Sequence, residues 1–148
     1  MIKVDFHSSD FIPDCGLTYV IIGARFSNKW VFIRHKRRKG FELPAGHIMK
    51  NEDPDKAAER ELSEETGAVK FRINCIATYT VNDDNSVGAG RLYYADIITL
   101  GEDKDEDEIE EVIFSESLPA ILTFPYVQSV LFDYLDGYRK DKKSPARG

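Results

Sequence analysis

Residues Gly46 to Ala68 read GHIMKNEDPDKAAERELSEETGA, and the second half of this stretch is written as a helix. Asp53 can cap its N-terminus, Pro54 suits the first helical position, and Gly67 suits the residue just past the end. Inside it stand Glu61, Glu64 and Glu65 at i, i+3 and i+4, which places all three within an arc of roughly 100° on one face. Like charges at these spacings repel. They also occupy the last turns, where the helix dipole favours cations. A solvated acidic face is the plain reading of such a cluster. A bound divalent cation is the reading that gives the repulsion a purpose, because Mg²⁺ takes carboxylate oxygens together with substrate phosphates and water.

The rest of the stretch decides between them. Gly46, Glu52, then Arg60-Glu61-Leu62-Ser63-Glu64-Glu65-Thr66-Gly67 fill the pattern G-x5-E-x7-R-E-U-x-E-E-x-G-U, where U is a bulky aliphatic. Every fixed position matches, and Ala68 is the one weak fit, standing where a larger aliphatic is usual. This is the box of the Nudix hydrolases, which the chain resembles over roughly residues 17 to 136. The resemblance implies an α+β fold, a Nudix-type α/β/α sandwich around a mixed β-sheet. It also implies hydrolysis of a diphosphate linkage in a nucleoside diphosphate derivative.

By the same resemblance Glu61, Glu64 and Glu65 are metal ligands, joined by the backbone carbonyl of Ala45, and Glu61 or Glu64 handles the attacking water. The expected cofactor is Mg²⁺, with Mn²⁺ as a substitute. Arg60 belongs to the same catalytic group of the box, expected to brace loop and helix through Glu52; an i,i+4 pair with Glu64 is its plain alternative. Gly46, Glu52 and Gly67 are the structural positions of the box. Two places depart from the common pattern: Met49 removes a carboxylate that relatives often carry, and Asn51 stands for a glycine. Asn tolerates left-handed backbone, so Asn51 can serve there.

The chain of 148 residues suits one domain, expected over 1–138, with a polar, Pro- and Gly-bearing tail at 139–148 expected to be disordered. Hydrophobic content of 42% and charged content of 31% are those of a globular protein. No apolar run approaches the roughly 20 residues of a membrane span, and the N-terminus lacks the apolar core of a signal peptide. Cys15 and Cys75 have no metal-type spacing and suit a reduced cytoplasmic protein. A formal charge of −6 argues against broad nucleic-acid binding but not against a small anionic substrate held through metal ions. Many relatives form homodimers, though no residue marks an interface here.

Segments 17–25 and 29–35 read as a hairpin around Ser27-Asn28, and 70–81 and 91–100 as two further strands joined by a turn-rich loop at 82–90. The acidic run 101–112 begins as a solvated loop and ends in a strand at 108–114, where Glu108, Glu110 and Glu111 are candidates for one more glutamate at the site. Val127, Val130, Leu131, Tyr134 and Leu135 recur with helical period, with Gly137 as the expected stop. The basic run 34–39 is a solvated loop or a phosphate contact, with Arg34, Lys36 and Arg37 as candidates. Trp30, Phe41, Tyr79 and Tyr93 could stack on a base, but aromatic residues in strands more often build the core. Among substrates, the resemblance favours a nucleoside triphosphate, ordinary or oxidised, cleaved to monophosphate plus pyrophosphate. ADP-ribose, a nucleotide sugar or a dinucleoside polyphosphate are the alternatives, as are a non-catalytic nucleotide sensor and an acidic interaction protein.

Overall fold

The computed structural model describes residues 1–142. Its centre is strand β2 (Tyr19–Phe26), whose residues alternate between two buried faces. Val20, Ile22 and Ala24 face one layer, where Ala57, Ala58 and Leu62 of helix α1 (Pro54–Thr66) cover them. Ile21 faces the other, where Leu131, Phe132 and Leu135 of helix α2 (Pro125–Lys142) lie. A strand buried on both sides reads as a continuous apolar run, which is why YVIIGA shows no polar alternation. Two helices on opposite faces of one mixed sheet make the expected α/β/α sandwich.

The sheet has seven strands. Besides β2 they are β1 (Ile2–His7), β3 (Lys29–His35), β4 (Ala45–His47), β5 (Ala68–Asp83), β6 (Ser86–Leu100) and β7 (Ile109–Ser115). Six lie side by side in the order β1-β5-β6-β2-β3-β7, and β4 joins β2 beside this path. The β2/β6 pair is parallel and the others are antiparallel. The β2–β3 hairpin turns at Ser27 and Asn28, both left-handed at φ 51 and 66, as a two-residue turn between twisted strands requires.

The hairpin does not stay closed. β2 and β3 pair only at Arg25↔Trp30 and Phe26↔Lys29. Beyond that they part, and the chain returning from β3 fills the gap. Glu42 exchanges both backbone hydrogen bonds with Ile33 of β3, while the Ile22 N–H donates to the Pro44 carbonyl and Tyr19–Ile21 pair with β4. This opening carries the site.

Several sequence expectations change here. The segment 82–90 is not a long loop: β5 and β6 continue through it to a two-residue turn at Asp84-Asn85, with Asn82↔Val87 and Asp83↔Ser86 in register. Strand β1, unforeseen in the sequence, pairs with this extension from Ile2↔Asp83 to His7↔Thr78, and its Phe6 stacks on Tyr134 at 4.1 Å. Gly137 does not stop α2, which runs on to Lys142 with Tyr138 against Tyr94. The tail expected from Arg139 is therefore helical to Lys142, and 143–148 lie outside the described residues. The buried stripe of α2 is rotated from the one anticipated. Gln128, Leu131, Phe132 and Leu135 are its buried members, whereas Tyr134 is partly exposed.

Trp30, Tyr79 and Tyr93 are core residues, each 4% exposed or less. Leu135 sits fully buried in the cluster beneath α2. Leu135→Ala is expected to lower the unfolding free energy by about 2–5 kcal/mol, read from the denaturant midpoint at unchanged slope.

Candidate active site

Helix α1 begins and ends as its sequence dictates. The Asp53 side chain accepts the Asp55 N–H at 2.9 Å, Pro54 follows, and Gly67 closes the helix at φ 84, its N–H on the Ser63 carbonyl. The Tyr93 hydroxyl donates to Asp55 at 2.7 Å and pins the first turn to the sheet. Asn51 does adopt the left-handed conformation, at φ 64.

These fixings present the glutamates to the β2/β3 opening in three different environments. Glu65 is 4% exposed. Its Oε1 accepts the Ala45 N–H at 2.8 Å and its Oε2 lies 3.3 Å from His35 Nε2. It therefore links α1 to both β4 and β3. Burial pushes the Glu65 carboxyl up, while the same His35 and Ala45 contacts pull it down; His35 is raised chiefly by its bond to Glu65. Glu61 is raised to about 7, first by burial and then by the neighbouring Glu65 charge, with Arg60 opposing. Glu64 is the exposed one of the three.

Arg60 collects the remaining carboxylates. It donates to Glu52 through Nε at 2.8 Å and Nη2 at 2.9 Å, and through Nη1 to Glu61 at 2.5 Å and Glu64 at 3.4 Å. Glu52 also accepts the Met49 N–H at 3.0 Å, and its carboxyl is held down at about 2, Arg60 being the main cause. Both anticipated partners of Arg60 are thus present. The guanidinium occupies the space between Glu61 and Glu64. Accordingly, among the described residues no three His, Cys, Asp or Glu side chains converge as a metal site. The donors available are nonetheless all oxygens, and a repelling carboxylate group with a proton retained near neutrality is one that a hard divalent cation relieves.

Gly46 is where the backbone comes closest: a β-carbon there would fall on the Glu61 carboxylate. The neighbouring Ala45 is buried.

The basic run divides. Arg34 is committed to Glu111 of β7, at 3.2 Å. Lys36 and Arg37 are exposed, carry no ion pair among the described residues, and line a cavity of about 430 Å³ with Asp107 and Glu108. Of the three late glutamates, Glu111 is thereby spent on Arg34, Glu108 lines that cavity, and Glu110 lines a separate cleft with Thr66 and Val112. What the sequence reading missed is a polar chain that runs from exposed Arg38 to the buried Glu42 and Glu65. Arg38 Nη1 donates to both oxygens of Glu42 at 2.9 Å, and Glu42 lies 3.7 Å from His35, which meets Glu65. A carboxylate in FELPAG amid an apolar stretch was the available signal.

Gly46→Ala is expected to cost about 1–3 kcal/mol of stability through overpacking. Glu61→Ala in the same chain vacates the space and recovers most of that loss. Strictly additive losses in the unfolding free energies of the four proteins would show that the two residues do not meet.

Comparison with known proteins converges on one family. The NUDIX domain model matches residues 19–124. The Bacillus subtilis protein YtkD, named as a candidate 8-oxo-dGTP diphosphatase, is 32% identical over 122 residues, covering 82% of this chain and 75% of that protein. The ADP-ribose pyrophosphatase of the same organism is 33% identical over 75 residues, 49% of this chain and 40% of its own length. Among solved structures, a mutant of the Bacillus subtilis pyrophosphohydrolase BsRppH superposes with a TM-score of 0.77 at 27% identity, covering 95% of this chain and 90% of that one. With the box complete and the sandwich in place, the chain belongs to the Nudix hydrolase family.

Proposed function

We propose that this Nudix pyrophosphohydrolase cleaves a nucleoside triphosphate, ordinary or oxidised, to the monophosphate and pyrophosphate in a reaction that needs a divalent cation. The observation that carries the reading is the geometry of the complete box: helix α1 sets Glu65 on the Ala45 N–H and His35, and Glu61 directly against the Gly46 backbone, at the β2/β3 opening. A triphosphate brought to this carboxylate face meets strong repulsion unless cations intervene. Glu61, Glu64, Glu65 and the Ala45 carbonyl would hold Mg²⁺, or Mn²⁺ in its place. When bound, the ion supplies charge neutralisation of the phosphates and a lowered pKa for water.

The chain's own residues do the rest. Water attacks phosphorus, one P–O bond of the anhydride breaks, and the water's proton passes to a carboxylate, for which Glu61 and Glu64 are suited by position. Arg60 is the brace, holding Glu61 and Glu64 against the loop at Glu52. Lys36 and Arg37, exposed and without an ion pair among the described residues, are suited to outer phosphates, whereas the Arg34 pairing with Glu111 disfavours a role there. The name of YtkD supports a nucleoside triphosphate, and that of BsRppH a pyrophosphohydrolase. The similarity to the ADP-ribose pyrophosphatase over 75 residues keeps ADP-ribose as the second reading. The free thiols of Cys15 and Cys75 fit a reduced, cytoplasmic setting, and no helix of the described residues is long and apolar enough to cross a membrane.

A panel of ordinary and oxidised triphosphates, ADP-ribose, dinucleoside polyphosphates and a nucleotide sugar tests this reading with Mg²⁺ and with chelator. Triphosphate turnover is expected, lost with chelator and reduced on the order of 10²-fold or more in Glu64→Gln. Turnover of ADP-ribose alone would move the assignment to the second reading. Nucleotide binding with no turnover of any compound would make the protein a sensor.

The charge state gives a second test. Between the ordinary glutamate value of 4.5 and about 7, the folded protein keeps on Glu61 a proton that the unfolded chain has lost. Stability from this group therefore falls as pH rises through that window. In chelator, the melting temperature of the parent should drop more than that of Glu61→Gln between about pH 5 and about pH 8. Mg²⁺ should raise the parent's melting temperature more at the higher pH. Parallel curves for the two proteins would exclude a buried, protonated Glu61.

A further inference from the structure

The N-terminal half of β2 carries the site, since Tyr19–Ile21 pair with β4. At its other end Arg25 stands beside the hairpin turn, paired with Trp30 of β3. Strand alternation sends the Arg25 side chain to the same face as Gly23, whose missing side chain makes room for Leu135 of α2. There Arg25 is 9% exposed, and its guanidinium lies over the fully buried Trp30 ring, 4.9 Å from the centroid. A guanidinium stacked on a ring keeps its N–H groups directed outward in its own plane. Among the described residues the Arg25 side chain has neither a hydrogen bond nor an ion pair.

The carboxylates nearby are engaged elsewhere. Asp96 stands opposite Arg25 on β6, and its two oxygens take the Tyr94 hydroxyl at 3.4 Å and Lys142 at 3.1 Å. Asp136 of α2 accepts Arg139 through one oxygen, at 2.9 and 3.1 Å, and meets Lys140 through the other at 3.1 Å. Arg139 is in turn the charged neighbour that acts most strongly on Arg25, and burial and this repulsion together disfavour the Arg25 charge. A stacked arginine hydrated at its edge is the plain alternative, but burial leaves little of this one to water. Burying a cation without a counter-ion costs more than stacking on an aromatic face returns. An anion between the two guanidiniums is what this corner of the fold lacks.

We propose that Arg25 and Arg139 form a binding site for a small oxyanion of the phosphate type, carried as inorganic phosphate or as the phosphate of a monoester. The Arg25 fork is entire, and Arg139 keeps Nη1 beyond its bonds to Asp136. Together they present more N–H groups than the two oxygens of a carboxylate can occupy, and guanidinium forks suit phosphate oxygens. Lys140 and Lys142, both exposed, add attraction at the rim. The bound anion would tie the last turns of α2 to β2, so its effect falls on stability. The site is independent of the hydrolytic one and needs no divalent cation.

Calorimetric titration and thermal melts in chelator test this, with inorganic phosphate and glycerol 3-phosphate set against chloride at matched ionic strength. The parent is expected to bind one phosphate group with a Kd of about 1 mM or tighter and to melt higher in its presence. Arg25→Gln and Arg139→Gln should each weaken binding about tenfold or more and lose most of that gain in melting temperature. General exclusion of phosphate from protein surfaces acts on all variants alike, so the difference between parent and variant is the readout. Should Arg25→Gln fail to fold, Arg139→Gln carries the test from a partly exposed position. Binding of either compound upholds the site, and a preference between them tells free phosphate from an ester. Absence of binding by the parent overturns the proposal, as do equal gains in the parent and both variants. Binding lost in Lys36→Gln or Arg37→Gln but kept in the other two variants also overturns it, placing the anion beside the glutamates.

Discussion

A buried carboxylate at Glu65 ties helix α1 to two strands of the sheet where they would otherwise part. One oxygen holds the Ala45 N–H, the other meets His35, and its helix packs across β2. Burying such a group is costly unless its lone pairs are taken. Here they are taken by the two strands that flank the β2/β3 opening. Removal of either partner leaves a charge unsatisfied, so helix position, loop position and strand separation are set together.

The opening itself follows from backbone accounting. β2 and β3 have unpaired N–H and C=O groups once they diverge, and buried backbone groups require partners. The return segment around Glu42–His47 supplies them to both strands at once. This wedge brings Ala45 and Gly46 beneath the carboxylates of α1, and it leaves room for Glu61 only because Gly46 has no side chain. The site is thus a product of the sheet being forced apart. It costs local strand pairing and gains a place where main chain, carboxylates and a lined cavity meet.

Arg60 carries a related constraint. Four carboxylates on or near one helix face repel one another; a single guanidinium is shared by Glu52, Glu61 and Glu64, and His35 meets the fourth, Glu65. Glu52 lies far below the ordinary carboxylate range while Glu61 lies above it. A bidentate Arg60 and then the Met49 N–H account for the first, burial and then the Glu65 charge for the second. Two glutamates with the same side chain are thereby shifted in opposite directions by their surroundings.

The local part of this was legible in the sequence. Asp53, Pro54 and Gly67 bound a helix by their own backbone preferences, the i, i+3, i+4 spacing fixes which face the glutamates share, and Ser27-Asn28 makes a hairpin turn. All of these are contacts between residues close in the chain. What tertiary structure alone decided involves partners far apart. NDDNSVGAG is mostly strand rather than loop because β5 and β6 pair through it to the turn at Asp84-Asn85, with β1 alongside Asn82 and Asp83. Gly137 is helical because α2 continues over Tyr94, and Arg34 is taken from the substrate side by Glu111, 77 residues away. Glu42, His35 and Gln128 have no local pattern to announce them. Their roles come from burial and from partners distant in the chain, His35 with Glu65 and Gln128 with Leu43, which a periodicity or a motif of fixed spacing cannot encode.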